Sequence, residues 1–164
     1  MNTKQLALII LDREEGFKEK PYYCSEQFPT YGHGFKIGEK HAPLPDISIT
    51  KEESYKRLGE WVSNLIYSLS NNPDTKKAFE NCNYSQQAIM VSMAYQLGIY
   101  GILKFKKFLA ALNDKNFFEA ANQMMDSLAA KQAPNRFKRQ SQVMLSGDAN
   151  TSYATEIARA QELN

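Results

Sequence analysis

Residues 15–38 read EGFKEKPYYCSEQFPTYGHGFKIG. Aromatics, Pro21, Pro29 and the glycines Gly32, Gly34 and Gly38 alternate there with short β-favouring pieces, which predicts a small antiparallel meander of about three strands. Ahead of it, residues 3–14 (TKQLALIILDRE) set Leu6, Ile9 and Ile10 at three- and four-residue spacing, a short helix that Gly16 stops. Behind it, the Pro-rich HAPLPDI (41–47) leads to Thr50-x-x-Glu53, a capping box opening a helix with Leu58, Val62, Leu65, Ile66 and Leu69 on one stripe. That helix ends near Asn71-Asn72-Pro73. Tyr84–Leu97, apolar on most sides, reads as a buried central helix capped by Gly98. Amphipathic pieces follow over 103–113, 116–129, 135–145 and 152–163.

The order is one helix, a small sheet, a connecting helix and a bundle. It predicts an α+β, mostly helical chain, with a small sheet-containing lobe over residues 13–60. Residues 61–164 form the larger helical lobe, against which helix 1–12 packs, and the two make one domain. A cleft between such lobes is a usual place for a ligand.

The 164 residues, 43% apolar and 23% charged, suffice for one buried core and exclude long disorder and collagen-like repeats. The longest apolar run, Leu6–Leu11, falls far short of the roughly 20 residues of a membrane span. It is also shorter than a signal-peptide core, so neither membrane insertion nor a secretory leader is expected. Between Lys104 and Arg139 eight basic residues face three acidic ones. This is a modest basic surface, suited to an anionic polymer such as wall material or simply solvated, and too weak to predict a nucleic-acid partner. Cys24 and Cys82 lack metal-ligand spacing and are expected as free thiols in a reducing compartment. With His33 and His41 in one loop-rich stretch and no CxxC or HExxH, neither a metal nor another cofactor is expected.

Glu15 sits where the first helix runs out, beside a glycine that lets the chain turn. A carboxyl at that junction either faces a cleft, with Phe17 excluding water as a general acid needs, or belongs to the surface charge cluster Asp12-Arg13-Glu14-Glu15. Eight residues separate Glu15 from Cys24, and five separate Cys24 from Thr30.

This segment resembles the Glu-x8-Asp/Cys-x5-Thr triad of phage-type lysozymes, the endolysin muramidases of glycoside hydrolase family 24. The resemblance extends through Pro21-Tyr22-Tyr23, Thr30-Tyr31-Gly32-His33-Gly34, Ile49-Thr50-Lys51-Glu52-Glu53, Met93-Ala94-Tyr95-Gln96-Leu97-Gly98, Phe118-Glu119-Ala120-Ala121 and Ala133-Pro134-Asn135-Arg136-Phe137-Lys138-Arg139. These fall in family order and cover about residues 5–150. The resemblance implies a lysozyme-like fold and hydrolysis of the β-1,4 bond between N-acetylmuramic acid and N-acetylglucosamine of bacterial peptidoglycan, without a cofactor. It implies that Glu15 is the general acid, that Thr30 directs the attacking water with inversion, and that Arg136 pairs with Glu15. Tyr95, Gln96, Phe108 and Gln123 match positions lining the sugar groove, although Tyr95 reads equally as core packing.

Three departures stand out. Cys24 occupies a position where many relatives carry Asp, and a thiol with a pKa of about 8.5 is only a few per cent ionised at neutral pH. It is either a variant catalytic group or a small packed filler, and Glu26 is the one nearby carboxyl that could replace it. Relatives place a His after the second glycine, where this chain has Phe35. His33, between the glycines, reads as a strand residue with a structural hydrogen bond. Phe108 replaces a small polar residue, narrowing the groove or adding a stacking face.

A non-catalytic or virion-associated wall-binding module is the alternative, against which the intact Glu15, Thr30 and Arg136 argue. A Cys24–His33 or Cys24–His41 hydrolase fits poorly, because Cys24 lies in a Pro- and aromatic-rich meander rather than at a helix N-terminus. The resemblance further implies a monomer stored in the host cytoplasm and released to the periplasm and wall through a phage holin.

Overall fold

The computed structural model describes residues 1–163. The expected lobe boundary at residue 164 lies outside them. The chain divides into two compact units, Met1–Ile10 with Val62–Asn164, and Leu11–Trp61.

Leu11–Trp61 holds the end of α1 (Thr3–Glu15), a three-stranded antiparallel sheet and the first half of α2 (Lys51–Asn71). The strands are β1 (Lys18–Tyr23), β2 (Pro29–Gly32) and β3 (Phe35–Lys36), in the order β1-β2-β3. Tyr22 pairs with Thr30 across β1 and β2, and Tyr31 with Phe35 across β2 and β3. The expected capping box is formed: Glu53 N–H donates to Thr50 Oγ1 at 3.1 Å, and Thr50 N–H to Glu53 Oε2 at 3.2 Å. The meander, α1 and α2 thus follow the sequence closely, because each is fixed by local chemistry. His33 differs: it lies in the turn between β2 and β3, not in a strand.

The other unit is helical, comprising α3 (Lys76–Glu80), α4 (Tyr84–Leu103), α5 (Lys106–Asn113), α6 (Phe117–Met125), α7 (Leu128–Gln132), α8 (Pro134–Ser146) and α9 (Asn150–Glu162). Every residue of α4 from Ala88 to Ala94 is buried, as its all-round apolar character predicts. Gly98 (φ 76°, ψ 164°) breaks α4 where the cap was expected, and the helix resumes beyond it. The single helix expected over 116–129 is two. Ser127 interrupts it and caps the second piece, its Oγ accepting from Ala130 N–H at 3.0 Å. The short α3 was not foreseen, and α5 begins three residues later than expected.

α8 packs against α4, α6, α7 and α9, with Phe137, Val143 and Met144 fully buried. Emptying the Phe137 site should therefore be severe. Phe137→Ala is expected to cost about 3–5 kcal/mol, read as a lowered denaturation midpoint. A loss below about 1 kcal/mol would contradict this placement.

Candidate functional site

Three of the residues singled out by sequence, Glu15, Cys24 and Thr30, lie in the unit Leu11–Trp61. Glu15 is the last residue of α1, half-buried, and Gly16 turns the chain away with φ 67°. Its carboxyl lies directly over Gly34, because a Cβ built there would stand 2.7 Å from Glu15 Oε2. With φ 78° as well, Gly34 is doubly required to be glycine.

Thr30 is 2% exposed and donates from Oγ1 to the Phe28 carbonyl at 2.9 Å. Its lone pairs stay available to accept from a third group. Cys24 begins the tight loop between β1 and β2, donating its N–H to Phe28 O at 3.0 Å and accepting from Gln27 N–H at 2.9 Å. Burial disfavours its thiolate, but the Phe28 and Glu26 N–H groups and the Lys36 charge favour it, and the balance lowers the pKa. The sulfur is therefore readier to ionise than the ordinary thiol assumed from sequence. Glu26 is exposed and reaches Lys36 Nζ at 3.4 Å.

Tyr22, part of the Pro21-Tyr22-Tyr23 motif, has a phenol that feels both Glu15 and Cys24. Burial raises its pKa first, and then the charges of Glu15 and Cys24. It therefore stands near both, a placement set by the Tyr22–Thr30 register of the sheet.

Beneath Glu15 is a network that sequence reasoning saw only as one hydrogen bond. His33 is 0% exposed, with Nε2 2.8 Å from Asp12 Oδ1 and Nδ1 2.6 Å from Ser54 Oγ. Asp12, an acceptor, requires the proton on Nε2. The Ser54 hydroxyl accepts from His33 N–H at 3.1 Å and shares a second hydrogen bond with Nδ1. Phe17, Phe35 and Tyr55 surround the ring at 5.6–6.4 Å. Phe35, where relatives place a His, instead stacks on Trp61 with centroids 6.3 Å apart. Asp12 at i and Glu15 at i+3 share a face of α1, the periodic cue that could have linked this network to the site.

The Asp12 carboxyl is held below the usual carboxylate range, first by the His33 hydrogen bond, against burial, and then by the charges of His33 and Lys51. A depressed carboxylate contributes stability above its unfolded value of about 4, which is lost as pH falls through the folded value. The melting-temperature gap between wild type and Asp12→Asn should thus be full above about pH 5 and shrink progressively as the pH falls below about 4. A gap independent of pH would contradict it.

The helical unit holds the remaining predicted positions. Arg136, in the first turn of α8, donates from Nη2 to Ser92 Oγ at 3.1 Å. Ser92 is buried on α4 and also receives Gln140 Nε2 at 2.6 Å. Tyr95 and Gln96 lie one turn further along α4 and are half-buried. Phe108 and Gln123 line the same pocket, of about 500 Å³, with Phe105 and Lys104 among its other walls. Phe108 is only 1% exposed and meets Phe105 edge-to-face at 6.1 Å, so its ring forms a wall and presents no free stacking face. Both cysteines are free, and burial pushes the Cys82 thiol up to about 12.

A profile of the phage lysozyme family matches residues 12–142, most of the chain and all of the predicted site residues. The chain belongs to the phage lysozyme family. Among the relatives of this family member is a probable T4-type lysozyme of Dictyostelium discoideum, 29% identical over 119 residues, 73% of this chain and 68% of that protein. The pre-baseplate central spike protein of Enterobacteria phage T4 is 26% identical over 168 aligned positions, covering 90% of this chain but 29% of the spike protein. An endolysin of Bacillus phage B103 is 29% identical over 127 residues, 76% of this chain and 45% of that protein. The chain thus spans about two thirds of the first relative and under half of the other two.

Proposed function

We propose that this lysozyme-family chain hydrolyses the β-1,4 bond between N-acetylmuramic acid and N-acetylglucosamine of bacterial peptidoglycan, with inversion at the anomeric carbon. The observation that carries the reading is the Glu15 carboxyl seated on Gly34, in the same unit as Thr30 and an ionisable Cys24. In this reading Glu15 protonates the leaving oxygen, and the Thr30 hydroxyl, already anchored to Phe28 O, accepts a hydrogen bond from the attacking water. The Cys24 sulfur lies next to that hydroxyl and supplies negative charge to the oxocarbenium-like transition state. By family position Arg136 partners Glu15, and Tyr95, Gln96 and Gln123 bind the glycan, while buried Phe108 backs the wall behind them. Ser92, itself held by Gln140, accepts from Arg136, which supports a positioning role for that side chain.

Purified peptidoglycan should release reducing sugars and no free amines. Amine release without reducing sugar would place the cleavage in the peptide instead.

The endolysin relative supports a lytic setting. In that setting we propose a monomeric enzyme held in the host cytoplasm until a holin opens the membrane. Expression in a Gram-negative cell should then leave growth intact until a holin is co-expressed, and lysis without a holin would overturn that setting. The spike-protein relative, aligned over 90% of this chain, favours a second reading as a virion-associated wall enzyme. That reading gains if the chain is found in purified virions.

A further inference from the structure

The turn that carries Gly34 is gripped from both sides. On one side, the Ser54 hydroxyl of α2 lies so close to Gly32 that a Cβ there would stand 2.7 Å from it, and it binds both His33 N–H and Nδ1. On the other, Asp12 of α1 binds Nε2 one helical turn before Glu15, whose carboxyl rests on Gly34. His33 is thus a buried polar bolt joining α1, the β2–β3 turn and α2. Gly32 and Gly34 both take positive φ (62° and 78°), so neither supplies a side chain to hold the turn. The hydrogen bonds of His33 do so in their place. An apolar residue at position 33 would fill the aromatic pocket of Phe17, Phe35 and Tyr55 without fixing how α1 and the turn meet.

We propose that His33, held by Asp12 and Ser54, is a positioning residue that fixes the Glu15 carboxyl against Gly34 in the orientation its proton transfer needs. It touches no substrate and acts through the backbone of its own turn and through α1. The inference rests on Glu15 being the general acid.

Steady-state kinetics on soluble peptidoglycan strands, well below each variant's melting temperature, provide the test. His33→Phe keeps an aromatic ring and removes both side-chain hydrogen bonds. Its kcat should fall roughly 10- to 100-fold, with KM within about threefold, because displacement of a catalytic group by about 1 Å costs rate rather than affinity. His33→Gln, which can still reach Asp12, should recover part of the loss. Ser54→Ala removes a single oxygen and carries the same expectation if His33→Phe does not fold, with kcat down roughly 3- to 10-fold. A residue that only stabilises the fold would lower the melting temperature and leave the kcat of folded protein unchanged. Wild-type kcat in folded His33→Phe, or in folded Ser54→Ala where His33→Phe is unfolded, therefore overturns the proposal. Glu15→Gln is measured alongside. If it stays active, the general-acid reading fails; if it is inactive while the His33 and Ser54 variants keep full kcat, positioning alone fails.

Discussion

Folded Glu15→Gln protein is expected to cleave peptidoglycan roughly 10²- to 10⁴-fold more slowly than wild type, the usual contribution of a positioned general acid. The amide keeps the shape of the carboxyl and its place over Gly34, where Oε2 occupies the space a Cβ would crowd. What it cannot do is deliver a proton to the glycosidic oxygen. Circular dichroism and melting temperature should stay near wild type, since half-buried Glu15 lies at a helix end and not in the core. Near-normal clearing of cell walls by this variant would remove Glu15 from the reaction.

The second large effect concerns Cys24. Alkylation with iodoacetamide should reduce activity by at least about tenfold, because the added group occupies the space beside the Thr30 hydroxyl where the water is proposed to sit. Cys82→Ala protein serves as the control, although buried Cys82, with its pKa pushed up to about 12, should hardly react in the folded state. The Cys24 sulfur should react readily, since two backbone N–H groups and Lys36 favour its thiolate. Cys24→Asp should keep activity, a carboxylate being almost fully ionised at neutral pH. Cys24→Ser, which supplies no charge, should fall below both. Full activity after complete alkylation would leave Cys24 as packing.

As candidates, these two residues and Thr30 were legible from the family resemblance, since spacing alone left Glu15 open to a surface charge cluster. Legible too were the elements with local signatures: the helix ending at Gly16, the Thr50/Glu53 capping box, the buried α4 and its break at Gly98. What stayed hidden depends on contacts distant in sequence. The Asp12–His33–Ser54 network joins residues 21 apart on either side of His33. Nothing in a 3.6- or 2-residue period announces such a pairing. The split at Ser127 was missed because the apolar pattern continues across it, while the serine hydroxyl offers the backbone a local alternative to the helix. α3 has five residues, too few for periodicity to register. Phe108 was read as a groove residue, and only the packing of α5 shows its ring closed off at 1% exposure.

The measurement closest to the central claim is the chemical identity of the new chain end. Purified peptidoglycan digested by the wild-type chain, reduced with borohydride and analysed by mass spectrometry should yield fragments ending in N-acetylmuramitol. Glu15→Gln should yield almost none. Fragments ending in N-acetylglucosaminitol, or products released without any new reducing end, would contradict the account.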